Sequence, residues 1–278
     1  MPPVMGVVAF IMAEMLGMSY WSVCIAAAIP ALLYYLNVTL QVHFEALKYN
    51  LRGLPADQLP SFRRVMREGW FYLIPVVLLV YLLAVAGLPA EYVGLYASVV
   101  VFALILISWQ SRRATRKKTE EIGSWLVDCS REVGAMLVPS AMACASAGII
   151  IAGVSASGIG FKLATLMLNA AGGNLLVLLV MVAVVCFVLG MGLPALPIYI
   201  VLAVLVAPAL VNMGIAPIAA HLFIFYWGLT SLITPPVAVT VFVTAGIAGT
   251  NPWPTGWQAV RLGIGTFILP FIFVYNSG

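Results

Sequence analysis

Thr230-Ser231-Leu232-Ile233-Thr234-Pro235-Pro236-Val237 interrupts strongly apolar sequence, with Phe223 to Ile233 before the proline pair and Val237 to Ala248 after it. Two adjacent prolines remove two amide donors and block helix continuation, so the stretch reads as a break inside a membrane helix. The same signature stands at the other end, where Met1-Pro2-Pro3-Val4 precedes the apolar run Val7 to Ala13. Broken helices in corresponding places point to an inverted-repeat secondary transporter and to its binding site. Because the first pair starts at residue 1, the sequence reads as a chain cut within its own repeat.

The composition around these breaks is that of a membrane protein. Of 278 residues, 64% are hydrophobic and 8% charged, against about a quarter charged in soluble domains. A mean hydropathy of +1.12, with several apolar runs near the spanning length of about 20 residues, predicts a polytopic, all-α integral membrane protein. A β-barrel would alternate apolar and polar residues over segments of about 10, a pattern this chain lacks.

The net charge of +4 is concentrated in two basic patches: Lys48, Arg52, Arg63, Arg64 and Arg67, then Arg112, Arg113, Arg116, Lys117 and Lys118. Both flank apolar spans, so they read as topological determinants and not as a nucleic-acid surface. Cys24, Cys129, Cys144 and Cys186 show no CxxC or Cys/His spacing, and His43 and His221 complete no zinc pattern with them. The N-terminus has neither a charged leader nor a small-residue cleavage site, so no signal peptide is read there.

Along the chain, Val4 to Met15 is a half-segment and Trp21 to Gln41 a full span containing Pro30. Lys48 to Glu68 reads as a basic loop carrying a short interfacial helix. Trp70 to Ala86 and Tyr92 to Trp109 are spans joined by Gly87-Leu88-Pro89-Ala90-Glu91. Two spans return the chain to its starting side, so both basic patches share one side, the cytoplasm. Thr119 to Glu132 has the amphipathic pattern of a helix lying in the membrane interface, an ordinary cytoplasmic linker helix being the alternative. From Val133 onward there is no acidic residue, and the only cationic ones are Lys162 and Arg261. The expected organisation is therefore residues 1–45 as the remnant of a first repeat, 46–132 as basic loops with two scaffold spans, and 133–278 as a second repeat. Within it, a hairpin covers 174–210 and a broken helix 217–248.

Gly190-Met191-Gly192-Leu193-Pro194 can make a tight re-entrant turn between Leu175 to Leu189 and Ile198 to Leu210. Irregular backbone at membrane depth must be buried in protein or line a cavity. Its freed carbonyls are hard oxygen donors for a small cation, and a nearby helix N-terminus offers amides to an anion. A surface loop between two full spans is the competing reading, disfavoured by the lack of charged residues at the turn. At the second break the hydroxyls of Thr230, Ser231, Thr234, Thr240 and Thr244 either help to bind dehydrated Na⁺ or back-bond to carbonyls and bend the helix, and spacing leaves both open. Elsewhere, Glu14 is read as interfacial, a functional buried carboxylate being the alternative, His221 as packed or interfacial before a ligand, Asn174 as a helix cap before a substrate contact, and Lys162 as snorkelling. No nucleophile–base pair, carboxylate dyad or phosphate loop appears, so no enzyme is predicted.

Taken together, Gly190-Met191-Gly192-Leu193-Pro194, Ala219-Ala220-His221-Leu222-Phe223 and Ile233-Thr234-Pro235-Pro236-Val237-Ala238 resemble the large membrane subunit of a TRAP transporter. The resemblance is closer still to the fused permeases that work with TAXI-type binding proteins. Ala245-Gly246-Ile247-Ala248-Gly249 and Phe271-Ile272-Phe273-Val274-Tyr275-Asn276 fit that family too. Met1-Pro2-Pro3-Val4-Met5-Gly6 and Phe10-Ile11-Met12-Ala13-Glu14 match an internal segment of it.

The resemblance implies an elevator-type transporter of two inverted repeats. It would import organic acids, usually carboxylates, with Na⁺ from a periplasmic binding protein, in the inner membrane of a bacterial or archaeal cell. It makes Gly190, Met191, Gly192, Leu193 and Pro194 the second hairpin tip, and Ile233, Thr234, Pro235, Pro236 and Val237 the second break, with Ser231 beside it. Na⁺ is assigned to Gly190, Gly192 and Thr234, and no cofactor is implied besides this coupling ion. Two departures stand out. Relatives carry Thr-Thr after Gly-Leu-Pro where this chain has Ala195-Leu196-Pro197, and the first hairpin with its Ser-Gly-Ser tip is missing. The expected partners are then a TAXI-type binding protein, the missing N-terminal half and the lipid bilayer, and the chain alone is expected to be inactive. A non-transporting membrane scaffold is the alternative reading. No charged residue is placed to read the substrate.

Overall fold

The computed structural model describes residues 6–51, 53, 59, 61–111 and 119–276. The first Pro-Pro pair, residues 2–3, lies outside them. Helix makes up 82% of the structure, and no strand occurs among the described residues. In chain order the helices are α1 (Val7–Leu16), α2 (Tyr20–Lys48), α3 (Phe62–Gly69), a single 3₁₀ turn (Trp70–Tyr72), α4 (Leu73–Ala84), α5 (Ala90–Ser111) and α6 (Thr119–Ser157). They continue as α7 (Ile159–Ala171), α8 (Leu175–Gly190), α9 (Ala195–Leu205), α10 (Ala207–Asn212), α11 (Pro217–Thr230), α12 (Val239–Ala248), α13 (Pro252–Leu262) and α14 (Ile264–Tyr275). By length and composition, α2 and the α13–α14 pair can each cross a membrane.

The chain divides into two compact units. One comprises Ser19–Ser22 and Asn50–Ser140, in which α4 packs on α5 and Leu83 and Val93 are buried. The other gathers the described parts of Met1–Met18, Val23–Tyr49 and Ala141–Gly278. Its core is the packing of α11 against α8, α9 and α14. Rings make the α11–α14 seam: Phe223 meets Phe271 edge to face at 5.4 Å, and Trp227 meets Phe267 at 5.5 Å. Such pairs add directional preference to simple area burial.

Three elements differ from the expected segmentation. Helix α6 runs through Val133 without interruption, and through Pro139 beyond it. The run expected over Ile198 to Leu210 is two helices, α9 and α10, parted at Val206. Pro208 has no amide hydrogen for the Val204 carbonyl, which weakens the ladder where the two helices part. The apolar run read from Val260 to Val274 as closing the chain begins earlier, with residues 252–259 joining 260–262 in α13, capped by Asn251, whose Oδ1 accepts the Trp253 amide at 2.9 Å. Asn followed by Pro at the first helical position is a start signal available in the sequence.

A correspondence joins the two ends of the larger unit. Helices α1 and α12 are each ten residues long and each end on a left-handed glycine, Gly17 and Gly249. In both, the residue after the glycine donates back across the last turn: Met18 to the Ala13 carbonyl and Thr250 to that of Ala245, each at 3.0 Å. This is the Schellman closure. After each cap the chain enters a helix, or helix pair, of spanning length: α2 in one case and α13–α14 in the other.

These two spans also meet. Asn37, Gln41 and Glu45 recur every fourth residue on one face of α2 and reach the corner between α13 and α14. Gln41 Nε2 donates to the Leu262 carbonyl at 3.2 Å and to Asn37 Oδ1 at 3.1 Å. Glu45 accepts from Gln258 Nε2 at 3.0 Å and lies 3.5 Å from the Arg261 guanidinium. A carbonyl left without a helical donor at the corner is thereby satisfied by a side chain, as low-dielectric burial requires.

Candidate functional site

Helices α8 and α9 form a hairpin whose arms have 16 and 11 residues. At about 1.5 Å per residue both fall short of the membrane's apolar thickness of about 30 Å. Asn174 caps the first arm, its side chain accepting the Val177 amide at 3.3 Å. The arms meet at the tip Gly190 to Pro194. Gly192 has φ +82°, a backbone conformation that side chains with a Cβ rarely adopt, which is why the turn can be this tight. The amides of Met191 and Leu193 turn back to Val188 and Gly190, at 3.3 and 3.5 Å. No donor meets the carbonyls of Met191 and Gly192 among the described residues.

The tip lies against the second break. A β-carbon on Gly190 would stand 2.7 Å from the Gly228 carbonyl oxygen and 2.8 Å from Ser231 Oγ, and one on Gly192 would stand 3.7 Å from Val237. The second arm closes in as well. Ile198 and Leu202 approach Gly228 so nearly that a β-carbon there would overlap both, at 2.5 and 2.8 Å. On the other side, Pro235 sits over Gly256 of α13, and Ile233 over Gly263 at the α13–α14 corner. Of the residues singled out in the sequence, the structure thus brings Gly190 against Ser231 and Gly192 against Val237, whereas Ile233 and Pro235 are seated on Gly263 and Gly256 instead.

Pro235 and Pro236, joined by a cis peptide, have no amide to return to the carbonyls of Ser231 and Leu232. The two carbonyls meet different fates. That of Leu232 is taken by Thr240, whose hydroxyl donates at 2.6 Å and whose amide donates at 3.3 Å. That of Ser231 meets no donor among the described residues. The hydroxyls at the break all donate to carbonyls: Thr230 to Trp227, Ser231 to Gly228 and Thr234 to Thr230, each at 2.7 Å. This is the back-bonding geometry weighed in the sequence. It leaves the oxygen lone pairs of Ser231 and Thr234 uncommitted, so back-bonding and cation contact are compatible at one hydroxyl.

The donor inventory is therefore neutral oxygen only: backbone carbonyls of the tip and break, and two hydroxyls. No group of three His, Cys, Asp or Glu side chains suited to a metal occurs among the described residues. Neutral oxygen donors match a small monovalent cation and would be a poor cage for a thiophilic metal. The N-terminus of α9 points an unusually thin set of amides at any anion, because Pro194 and Pro197 each lack one.

The family model of the Tripartite ATP-independent periplasmic transporter, DctM component, matches residues 1–278. The chain belongs to the DctM family. No curated protein matches it. DctM proteins are the large permease components of TRAP transporters, not enzymes, and they work with a periplasmic substrate-binding protein and a small permease. The apolar helices of this DctM chain agree with a membrane protein.

Several residues around the site of this DctM permease were not singled out by sequence. Gly228, Gly256 and Gly263 are the seats on which Ile198, Pro235 and Ile233 rest. For Gly228 the signal was a glycine inside an apolar helix, which says that something approaches closely but not what; Gly256 and Gly263 lie in or beside a helix whose polar residues hid it. Tyr199 was also missed. It lies wholly buried on the second hairpin arm, its hydroxyl 2.7 Å from Nδ1 of the buried His221 on α11. That contact explains how a histidine is accommodated in an apolar helix, and it ties arm to helix one layer below the tip. The Thr266 hydroxyl, one turn into α14 beside Gly263, is buried without a partner among the described residues.

Proposed function

We propose that this chain is a permease component of a Na⁺-coupled importer of organic acids, chiefly carboxylates, delivered by a TAXI-type periplasmic protein to a multi-pass permease in the inner membrane. The observation that carries the reading is the seating of the glycine tip on the proline break. It concentrates neutral oxygen donors where two helices are interrupted, the arrangement by which broken-helix transporters handle ions. In this reading Na⁺ is held by backbone oxygen at Gly190 and Gly192 and by Thr234, with Met191, Leu193, Pro194, Ser231, Ile233, Pro235, Pro236 and Val237 shaping the surround. The loss of the two hydroxyls at Ala195 and Leu196 shifts the burden to carbonyls. Residues 133–278 act as the moving repeat, and the spans within 46–132 as scaffold.

The test is thermal unfolding of the purified chain in detergent, with NaCl against choline chloride at equal ionic strength. A ligand that binds only the folded state raises its stability by mass action. Na⁺ is expected to raise the midpoint saturably, and Thr234→Val to abolish the increment. An equal response to K⁺, or none to Na⁺, overturns the assignment. Uptake of a labelled dicarboxylate into proteoliposomes holding the chain, its binding protein and the small permease then tests the substrate class against a Na⁺ gradient.

A further inference from the structure

The corner between α13 and α14 holds one acceptor and two claimants. Thr266 lies in the first turn of α14, and in a continuous helix its amide would donate to the Leu262 carbonyl four residues back. It donates to the Gly263 carbonyl instead, at 2.8 Å. Gly263 itself has φ −89° and ψ 9°, whereas a continuous α-helix needs ψ of about −42°. The Leu262 carbonyl has therefore left the helical ladder, and α2 takes it. Gln41 Nε2 donates at 3.2 Å and Asn37 Nδ2 at 3.5 Å.

That arrangement leaves one group over. A threonine hydroxyl in a helix commonly donates to the carbonyl three or four residues before it, here Gly263 or Leu262. The Thr266 hydroxyl is buried and meets neither, nor any other partner among the described residues. A buried hydroxyl without a partner is costly, and the acceptor that would relieve it lies one turn back on its own chain. Helices α2 and α14 touch beside this carbonyl: a β-carbon on Gly265 would stand 2.8 Å from Asn37 Nδ2. The same corner touches the proline break. A β-carbon on Gly263 would come within 2.9 Å of Ile233 Cδ1.

We propose that the Leu262 carbonyl governs a two-position joint, held by Gln41 and Asn37 in a clasped form and by the Thr266 amide and hydroxyl in an unclasped one. Passage between them turns ψ of Gly263 by roughly 50° and re-aims α14 on α13. Ile233 is seated on the residue that turns. Gln41 and Thr266 are therefore positioning residues for the break, acting through Gly263. Each form satisfies the carbonyl and leaves the other donor over, the near-balance that a bistable element requires. The joint works in the same way whichever ion the break holds.

The experiment is a double-mutant cycle on Gln41 and Thr266, read by thermal unfolding of the full chain in detergent. In the wild-type background Thr266→Val deletes the orphaned hydroxyl and is expected to raise the midpoint by about 2–4 °C. With Gln41→Leu the hydroxyl becomes the donor to the carbonyl, so Thr266→Val should lower the midpoint by a similar amount and Thr266→Ser should not. Gln41→Met, which keeps the length of the side chain without its donor, replaces the leucine variant should that one not fold. An effect of the same sign in both backgrounds means that Asn37 alone inherits the carbonyl, and the proposal fails. The ¹³C-labelled δ-methyl of Ile233, assigned by its absence in Ile233→Val, gives a second readout. Its NMR signal should move in Gln41→Leu and return towards the wild-type position when Thr266→Val is added. It should stay in place in Glu45→Gln, which leaves the Leu262 carbonyl untouched. A signal indifferent to Gln41→Leu, or moved equally by Glu45→Gln, overturns the positioning role.

Discussion

Ser231 Oγ occupies the place from which a side chain on Gly190 is excluded: a β-carbon there would come within 2.8 Å of it. The same hydroxyl donates to the Gly228 carbonyl at 2.7 Å, itself 2.7 Å from that β-carbon. Hairpin tip and break are therefore fitted to each other at the level of single atoms. Neither backbone nor a hydrogen-bonded hydroxyl yields easily to an added methyl.

Gly190→Ala should accordingly destabilise the chain by about 1–3 kcal/mol, the usual range for overpacking a close contact. It should also remove the Na⁺-dependent rise in unfolding temperature. Gly148→Ala is the comparison, since a β-carbon there meets nothing within 4 Å. Replacing glycine by alanine in an unobstructed helix is neutral or mildly stabilising. Equal behaviour of the two variants in thermal unfolding would contradict the tight seating.

Thr240→Val removes the 2.6 Å bond to the Leu232 carbonyl and leaves it only the amide at 3.3 Å. A loss of about 0.5–1.5 kcal/mol is expected. Thr240→Ser, which keeps the hydroxyl, should recover most of it. Amide I infrared spectroscopy with ¹³C at the Leu232 carbonyl provides a direct readout: the band should shift in the valine variant and return in the serine one.

Tyr199→Phe strands a buried histidine nitrogen, because the tyrosine hydroxyl is its hydrogen-bond partner at 2.7 Å. An unsatisfied buried polar atom costs about 1–3 kcal/mol. His221→Phe in the same background removes the stranded group as well. The double variant should be more stable than Tyr199→Phe alone, and chemical denaturation of the four members of the cycle measures the coupling.

Gln41→Leu withdraws the nearer donor to the Leu262 carbonyl at the α13–α14 corner and leaves it Asn37 Nδ2 at 3.5 Å. It should cost more than Glu45→Gln, because the Glu45–Arg261 pair is long at 3.5 Å and the arginine is 57% exposed. Exposed ion pairs of that kind contribute about 0–1 kcal/mol. A Glu45→Gln variant that unfolds well before Gln41→Leu on heating would reverse this order of importance.

Much of this architecture could be read in the residues because it depends on chemistry local to the chain. Pro235-Pro236 must interrupt a helix, and Gly192 beside Pro194 must turn tightly, whatever surrounds them. Asn174 announced a cap in the same way. The contacts that assemble the site are of another kind. That Gly190 meets Ser231, or Gly256 meets Pro235, depends on distant segments arriving together, and a glycine carries no mark of its partner. The first part of helix α13 was overlooked because Trp253, Thr255 and Gln258 dilute its apolar character, although Asn251-Pro252 marked its start. The split at Val206 was overlooked for the opposite reason: continuous hydrophobicity across Pro208 hid a backbone interruption.

The prolines that create the site also decide how it can be watched. Pro194, Pro197, Pro235 and Pro236 have no exchangeable amide hydrogen, so deuterium labelling passes over much of the tip and break whatever they do. The carbonyls there are abundant and, at Ser231, Met191 and Gly192, meet no donor among the described residues. A vibrational label on the Gly192 carbonyl would read ion arrival at an atom proposed to receive it, labels at Ser231 and Met191 would report on its surround, and the Leu232 carbonyl, held by Thr240, serves as a silent internal reference.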